Sequence, residues 1–319
     1  MLKEKVAISV LLVSYNHENH IRQALNALFG QVFEGPIELV VADDKSTDST
    51  LSIIKEYEGV DSRFTFKYLD YSENLGITKN YQRGFSACSN EYVAVLEGDD
   101  YWISPHKLSR QATFLSEHWE SDVCTVNYFI YEEDRAQFTP RMPVVAGHRF
   151  ITARELIADN IVGNFSTCMY RRSALARLPE AMFDIKSYDW ITNIVLARTS
   201  VIGFLQEPMS VYRLHTAGVW TQTPHVEKLK TQLEVLPAYD ALTDHLFHED
   251  FELLASRLRH VITASQIGHV AETVSQPVIR AVPTLLNYMP PILITVLKAL
   301  VPVALKNLIV RVVKRSRSV

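Results

Sequence analysis

Residues 92–100 read Tyr92-Val93-Ala94-Val95-Leu96-Glu97-Gly98-Asp99-Asp100: an apolar run, then three carboxylates around one glycine. The apolar half has the pattern of a strand buried on both faces of a parallel sheet, and the acidic half follows directly on its carboxyl end. The same arrangement recurs upstream. Val6–Ser14 is a β-branched run that leads into Tyr15-Asn16, and Ile37–Ala42 ends in Asp43-Asp44. Phe64–Leu69 supplies a further strand. Helical patterns separate these runs. Ile21, Leu25 and Leu28 recur at helical spacing before Gly30, which can close the helix. Ser46, Thr47, Asp48 and Ser49 offer N-caps to a helix over Leu51–Tyr57, and Ile77–Cys88 forms the next. Repeated β-α alternation predicts a doubly wound, mostly parallel α/β sheet with right-handed crossovers. Three polar clusters just past three strand ends then describe one crevice, because ligands of open α/β sheets bind at that edge.

Bulk properties agree with a folded enzyme-sized chain. Its 319 residues are 47% hydrophobic and 21% charged, which excludes disorder. Cys88, Cys124 and Cys168 lie far apart without a CxxC pair, so they predict neither a disulfide framework nor a zinc knuckle, and they fit a reducing compartment. Val6–Ser14 is too short to span a bilayer and has no small-residue cleavage site after it, so it is read as a strand rather than a secretory signal. Seven basic residues and no acidic one follow Glu272, which leaves the preceding body at −11 within a formal net charge of −4. An acidic body argues against nucleic acid as partner, and a basic tail asks for an anionic one.

Taken in order, six motifs resemble family 2 glycosyltransferases, the inverting enzymes with the Rossmann-like GT-A fold. They are Val13-Ser14-Tyr15-Asn16, Val40–Asp48, Glu73-Asn74-Leu75-Gly76, Glu97-Gly98-Asp99-Asp100, Tyr188-Asp189-Trp190 and Tyr212-Arg213-Leu214-His215. The resemblance covers about residues 6 to 220 and implies a transferase that uses a nucleoside diphosphate sugar, UDP-linked first, and a divalent cation, Mn²⁺ or Mg²⁺. Hard cations of this kind bind carboxylates on a rigid support. By resemblance, Asp99, Asp100 and His215 are the metal residues. Ser14, Tyr15, Asn16 and Asp44 form the base pocket, and Asn74, Gly76 and Lys79 flank the nucleotide. Arg213 either compensates leaving-group charge or pairs with a surface carboxylate. Glu97 stands where the family usually has Asp and is read as bonding the ribose or orienting its loop. Asp189 is the implied catalytic base, set between the aromatic rings of Tyr188 and Trp190, with Tyr188 where the family often has Glu. Gly218-Val219-Trp220 continues the closing loop, while Trp102 is read as packing.

The expected organisation is a catalytic domain over residues 1–220 and a helical extension over 221–319. Val226–His269 reads as helices, within which His245 and His248 are taken as exposed with no further ligand nearby. In the tail, Leu305, Leu308, Ile309, Val312 and Val313 form an apolar stripe beside Lys306, Arg311, Lys314 and Arg315. Pro283, Pro290 and Pro291 interrupt the uncharged run Ala281–Leu297, so a helix lying on an anionic membrane face is expected rather than a spanning one. The implied protein is cytoplasmic and peripheral on the membrane, and it acts on a glycan or lipid-linked acceptor in cell-surface polysaccharide or glycolipid assembly. Two other classes are weighed: a nucleotide-sugar-binding protein without activity, and a sugar nucleotidyltransferase. The second would open with a Gly- and Arg-rich loop, where this chain has Ser14-Tyr15-Asn16-His17-Glu18.

Overall fold

A computed structural model describes residues 6–185, 189–216 and 223–274. The expected alternation occupies its first hundred residues: β1 (Ile8–Ser14), α1 (Ile21–Phe29), β2 (Ile37–Asp43), α2 (Thr50–Lys55), β3 (Phe64–Tyr68), α3 (Ile77–Ala87) and β4 (Tyr92–Glu97). After it come β5 (Tyr101–Trp102), α4 (Lys107–Glu117), β6 (Ser121–Glu132), β7 (Gln137–Pro140), β8 (His148–Ile151), α5 (Ala153–Ala158), β9 (Cys168–Arg171), α6 (Arg172–Leu175), α7 (Asp189–Leu196) and β10 (Val201–Leu214). Two helices, α8 (His225–Leu242) and α9 (His248–Val274), complete the described residues.

The strands form one sheet in the order β3-β2-β1-β4-β9-β6-β10-β5, with β7 on β6 and β8 on β10. Strands β3, β2, β1 and β4 pair in parallel, as the β-α alternation requires. Side-chain alternation sorts each of them onto two buried faces. Leu11 and Val13, Val40 and Ala42, and Val93 and Val95 enter one core. Ile8, Val10 and Leu12, Leu39 and Val41, and Ala94 and Leu96 enter the other. Burial on both faces is why these runs show no polar alternation. Each such Val, Leu or Ile contributes about 1.5–3 kcal/mol by leaving water.

Register places the polar clusters. Ser14 pairs with Asp43, and Val13 pairs with Glu97, so the carboxyl ends of β1, β2 and β4 finish level with one another. The least legible section, residues 120–220, adds β9 antiparallel between β4 and β6, and then β10 parallel to β6. β10 is irregular around Pro208 and Ser210, and its last residues pair with both β6 and β5. That path carries Tyr212–Leu214 beside the turn that follows β4.

The compact unit runs to Thr263, past the boundary expected near residue 220. The reason is apolar burial. Leu236 and Tyr239 of α8, with Phe247 and with Phe251, Leu254 and Leu258 of α9, join the same core as Trp190 and Ile194 of α7. A second unit begins at Ala264, and α9 is described as far as Val274. Among the described residues no helix is long and apolar enough to cross a membrane. The amphipathic tail, the Gly218-Val219-Trp220 loop and Tyr188 lie outside the described residues.

Candidate active site

At the end of β2, two neighbouring aspartates take different roles. Asp43 accepts hydrogen bonds from Ser14 Oγ at 2.8 Å, from the Ser46 amide at 2.8 Å and from Ser46 Oγ at 2.6 Å. Both its oxygens are therefore used to lock the β1 and β2 ends together. Asp44 is buried and receives the amides of Leu75 at 2.8 Å and Gly76 at 2.9 Å, while Asn74 Nδ2 donates to its carbonyl at 2.8 Å. Gly76 sits at φ +80°, which L side chains rarely adopt, and this kink turns its amide towards Asp44 before α3 begins. The structure thus gathers Asp44, Asn74 and Gly76 into one knot, with Ser14 held beneath it. Tyr15 is 48% exposed, and Asn16, at φ +56°, accepts the Thr47 amide at 2.8 Å. Of the four offered caps, Asp48 accepts the Thr50 amide at the start of α2, and Ser49 makes no capping bond.

Arg83 was not anticipated at this end. Its Nη2 donates to the Asp43 carbonyl at 2.9 Å and lies 3.8 Å from Asp44 Oδ1. The available signal was its spacing four residues after Lys79, which puts both on one face of α3. Lys79 itself is paired with Asp184 at 2.5 Å in an exposed contact, an arrangement that contributes little to stability.

The acidic turn after β4 forms the other end. Tyr81 donates its hydroxyl to Glu97 Oε1 at 2.7 Å, and the Glu97 amide donates to Ser166 Oγ at 3.0 Å. Asp99 Oδ2 stands 3.1 Å from His215 Nε2 and 3.7 Å from His17 Nε2. Asp100 is buried, with Oδ1 accepting the Arg213 amide at 3.0 Å and Oδ2 without a hydrogen-bond partner. Every guanidinium nitrogen of Arg213 is engaged: Nε with the Asp99 carbonyl at 2.9 Å, Nη1 with Glu133 at 3.0 Å and Nη2 with Gln23 at 2.6 Å. The rings of Tyr101 and Tyr131 lie 5.4 and 5.6 Å from its guanidinium carbon.

Asp189 opens α7, and its charge acts on Glu97. Its Oδ2 accepts Asn160 Nδ2 at 2.9 Å. Burial raises the Asp189 carboxyl above its ordinary value. Burial, then the charges of Asp99 and Asp189, push Glu97 up to about 8. The same burial, with Asp99 and Glu97 as neighbours, holds Asp100 well above the carboxylate range. Asp99 is the exception. Burial works against its charged form, yet His17 and His215 outweigh it and hold the carboxyl below its ordinary value. Asp99 is therefore the carboxyl of the group whose charged form is favoured.

The donor set fits a divalent cation. A buried carboxylate oxygen of Asp100 lacks a partner beside an ionised Asp99 that already faces two imidazoles. His20, Glu133 and His215 also offer ligand atoms within 4.8 Å of one another. His17, His20 and Glu133 were missed from the sequence. For the histidines the signal was the three-residue spacing of His17 and His20 just past β1, whereas Glu133 lies in a short 3-10 turn that no motif marks.

The raised Glu97 value has a consequence for stability. The folded chain holds that proton to higher pH than the unfolded chain does. Its stabilising contribution is full below the ordinary value of 4.5 and is lost as pH climbs towards about 8. Glu97→Gln, which keeps the acceptor for Tyr81, is expected to melt with wild type at about pH 5 and above it by at least about 3 °C at about pH 9 in chelator. Melting curves at the two pH values check this; parallel curves would remove the raised value.

Comparison with known proteins places these features. The family model described as glycosyl transferase family 2 matches residues 9–178. An uncharacterized protein of Mycobacterium tuberculosis is 35% identical over 213 residues, which is 67% of this chain and 60% of that protein, so the chain spans less than two-thirds of that relative's length. Among solved structures, Staphylococcus aureus TarS 1–349 in complex with UDP-GlcNAc shares the fold at a TM-score of 0.58 and 21% identity, over 77% of this chain and 73% of its own. The mannosyltransferase PcManGT from Pyrobaculum calidifontis, in complex with GDP-Man and Mn²⁺, does so at a TM-score of 0.52 and 14% identity, over 85% and 81%. With the six motifs in order on a Rossmann-like GT-A sheet and a helical region after it, the chain belongs to glycosyl transferase family 2.

Proposed function

We propose that the chain transfers a sugar, with inversion, from a nucleoside diphosphate sugar to an acceptor hydroxyl on a glycan or lipid-linked saccharide. The observation that carries this reading is the acidic turn after β4, where Asp99 faces His215 at 3.1 Å and His17 at 3.7 Å beside a buried Asp100. Burial first, then the charges of Asp100, Glu97, Asp99 and of Asp189 at the start of α7, raise the Tyr212 hydroxyl beside it. In TarS the neighbouring fold holds UDP-GlcNAc, and in PcManGT it holds GDP-Man with Mn²⁺. UDP-sugars are the first choice of donor here.

In this reading the acceptor oxygen bonds to the anomeric carbon, and the bond from that carbon to the diphosphate oxygen breaks with its electron pair. Asp189 takes the acceptor proton. A carboxyl value raised by burial brings it nearer to neutral pH, where a general base works best. Asn160 Nδ2 fixes one Asp189 oxygen at 2.9 Å. A divalent cation, Mn²⁺ or Mg²⁺, would be held by Asp99 with His215 and Asp100, and would offset the charge of the departing diphosphate. The knot of Asp44, Asn74 and Gly76 with Ser14, Tyr15 and Asn16 orients base and ribose. Lys79 would have to leave Asp184 to meet phosphate, and we assign Arg213 to bracing the Asp99-Asp100 turn. Glu97, protonated near neutral pH, donates a hydrogen bond into the site rather than binding the cation.

Asp189→Asn is expected to lower kcat by about 10²–10⁴-fold while leaving donor binding intact. Turnover of UDP-sugars by wild type and variant, beside donor binding by calorimetry, checks it. Equal rates would remove Asp189 from the chemistry, and binding without turnover in wild type would favour a non-catalytic nucleotide-sugar receptor. A membrane role for the basic tail is a separate proposal. It predicts that the full chain sediments with anionic phosphatidylserine vesicles and a chain ending at Gln276 does not. Equal sedimentation would contradict it.

A further inference from the structure

We propose a second metal site, for a borderline cation such as Zn²⁺, at the corner between α8 and α9. The sequence shows His245 and His248 as an exposed pair with nothing beside them; the fold supplies the third group from the last turn of α8. Asp240 is only 6% exposed. Its Oδ2 lies 2.9 Å from His245 Nδ1 and 2.7 Å from His248 Nδ1, so three ligand atoms converge within 4.8 Å. Among the described residues its other oxygen, Oδ1, is buried without a hydrogen-bond partner. Both imidazoles are open to solvent, with 66% and 60% of the side chains exposed. A cation can therefore enter, and water can complete a tetrahedron of two nitrogens and one oxygen.

The backbone already holds the arrangement. Asp244 and His245 take φ values of +52° and +58°, and the His245 amide bonds to the Asp240 carbonyl at 3.0 Å. Tetrahedral bonds of about 2.0–2.2 Å set ligand atoms about 3.4 Å apart, so Asp240 Oδ2 has to part from each imidazole nitrogen by roughly half an ångström. Two imidazoles with one carboxylate suit zinc over the hard cations Mg²⁺ and Mn²⁺. Tyr239, next to Asp240, meets the ring of Trp190 at 6.0 Å, and Trp190 follows Asp189. A cation at this corner would tie α8 to α9 behind the Asp189 end of the site. The proposal does not depend on the transfer reading.

The test is calorimetric titration of Zn²⁺ and Mg²⁺ into the full-length protein after chelation, in a background of Asp99→Asn with His20→Ala and His215→Ala, which removes the imidazoles of the first cluster. One zinc is expected to bind and Mg²⁺ not to compete. Replacing both His245 and His248 by Ala is expected to weaken zinc binding by at least about tenfold, the lower range for disturbing a metal's surroundings. Both side chains are exposed, so circular dichroism should match wild type. As a second readout, Co²⁺ should give the visible absorption of a tetrahedral site in that background protein and lose it when His245 and His248 are also replaced. Zinc affinity unchanged by the histidine substitutions, or no zinc bound at all, would overturn the proposal.

Discussion

Four carboxylates, Glu97, Asp99, Asp100 and Asp189, are brought into electrostatic contact at the carboxyl edge of the sheet. Like charges crowded into a buried site disfavour one another's ionised forms, so such a group does not stay fully ionised without compensation. The protein resolves this unevenly. Asp99 favours its charged form because His17 and His215 face it, while burial and neighbouring charge favour the protonated forms of Glu97 and Asp100. The rest of the site follows from that division: a carboxylate facing two imidazoles, and beside it a buried Asp100 oxygen without a hydrogen-bond partner among the described residues.

The fold supports this crowd from several directions. Register levels the ends of β1, β2 and β4, so Ser14, Asp43 and Glu97 share one rim. β10 carries Arg213 across the sheet, where its amide takes Asp100 and its side chain spans the Asp99 carbonyl, Glu133 and Gln23. One cation thereby ties α1, the acidic turn and the end of β6 together. Its enclosure by protein groups makes it a brace, whereas the exposed Lys79–Asp184 pair can open. The same logic separates Asp43 from Asp44. The first is consumed by serines within the sheet edge, and the second orders the loop that flanks the crevice.

Much of the first hundred residues was legible because burial on both sheet faces writes itself as apolar runs and because strand ends are marked by polar residues. Asp44, Glu97, Asp99 and Asp100 could be placed on one rim from sequence for that reason. The partners that tune them were not. His17 and His20 were visible only as a spacing, Arg83 only as a face shared with Lys79, and Glu133 by no local pattern. Residues 120–220 resisted reading because β9 enters antiparallel between distant strands, a choice set by tertiary packing. The packing of the helices after residue 220 was hidden for a related reason. Leu236, Tyr239 and Phe251 look like parts of separate amphipathic helices but bury themselves in the core of the first unit.

The acidic rim is proposed to be a cation-dependent nucleotide site. Melting temperature of the purified protein with UDP, GDP, dTDP or CDP, each with and without Mn²⁺, tests that most directly. Ligand at about 100 times its dissociation constant adds about 2.7 kcal/mol, a rise of about 5–10 °C for a unit of this size. That rise is expected for one nucleotide, UDP first, only with Mn²⁺ and not in Asp99→Asn. No rise with any nucleotide, or the same rise in Asp99→Asn, would contradict it.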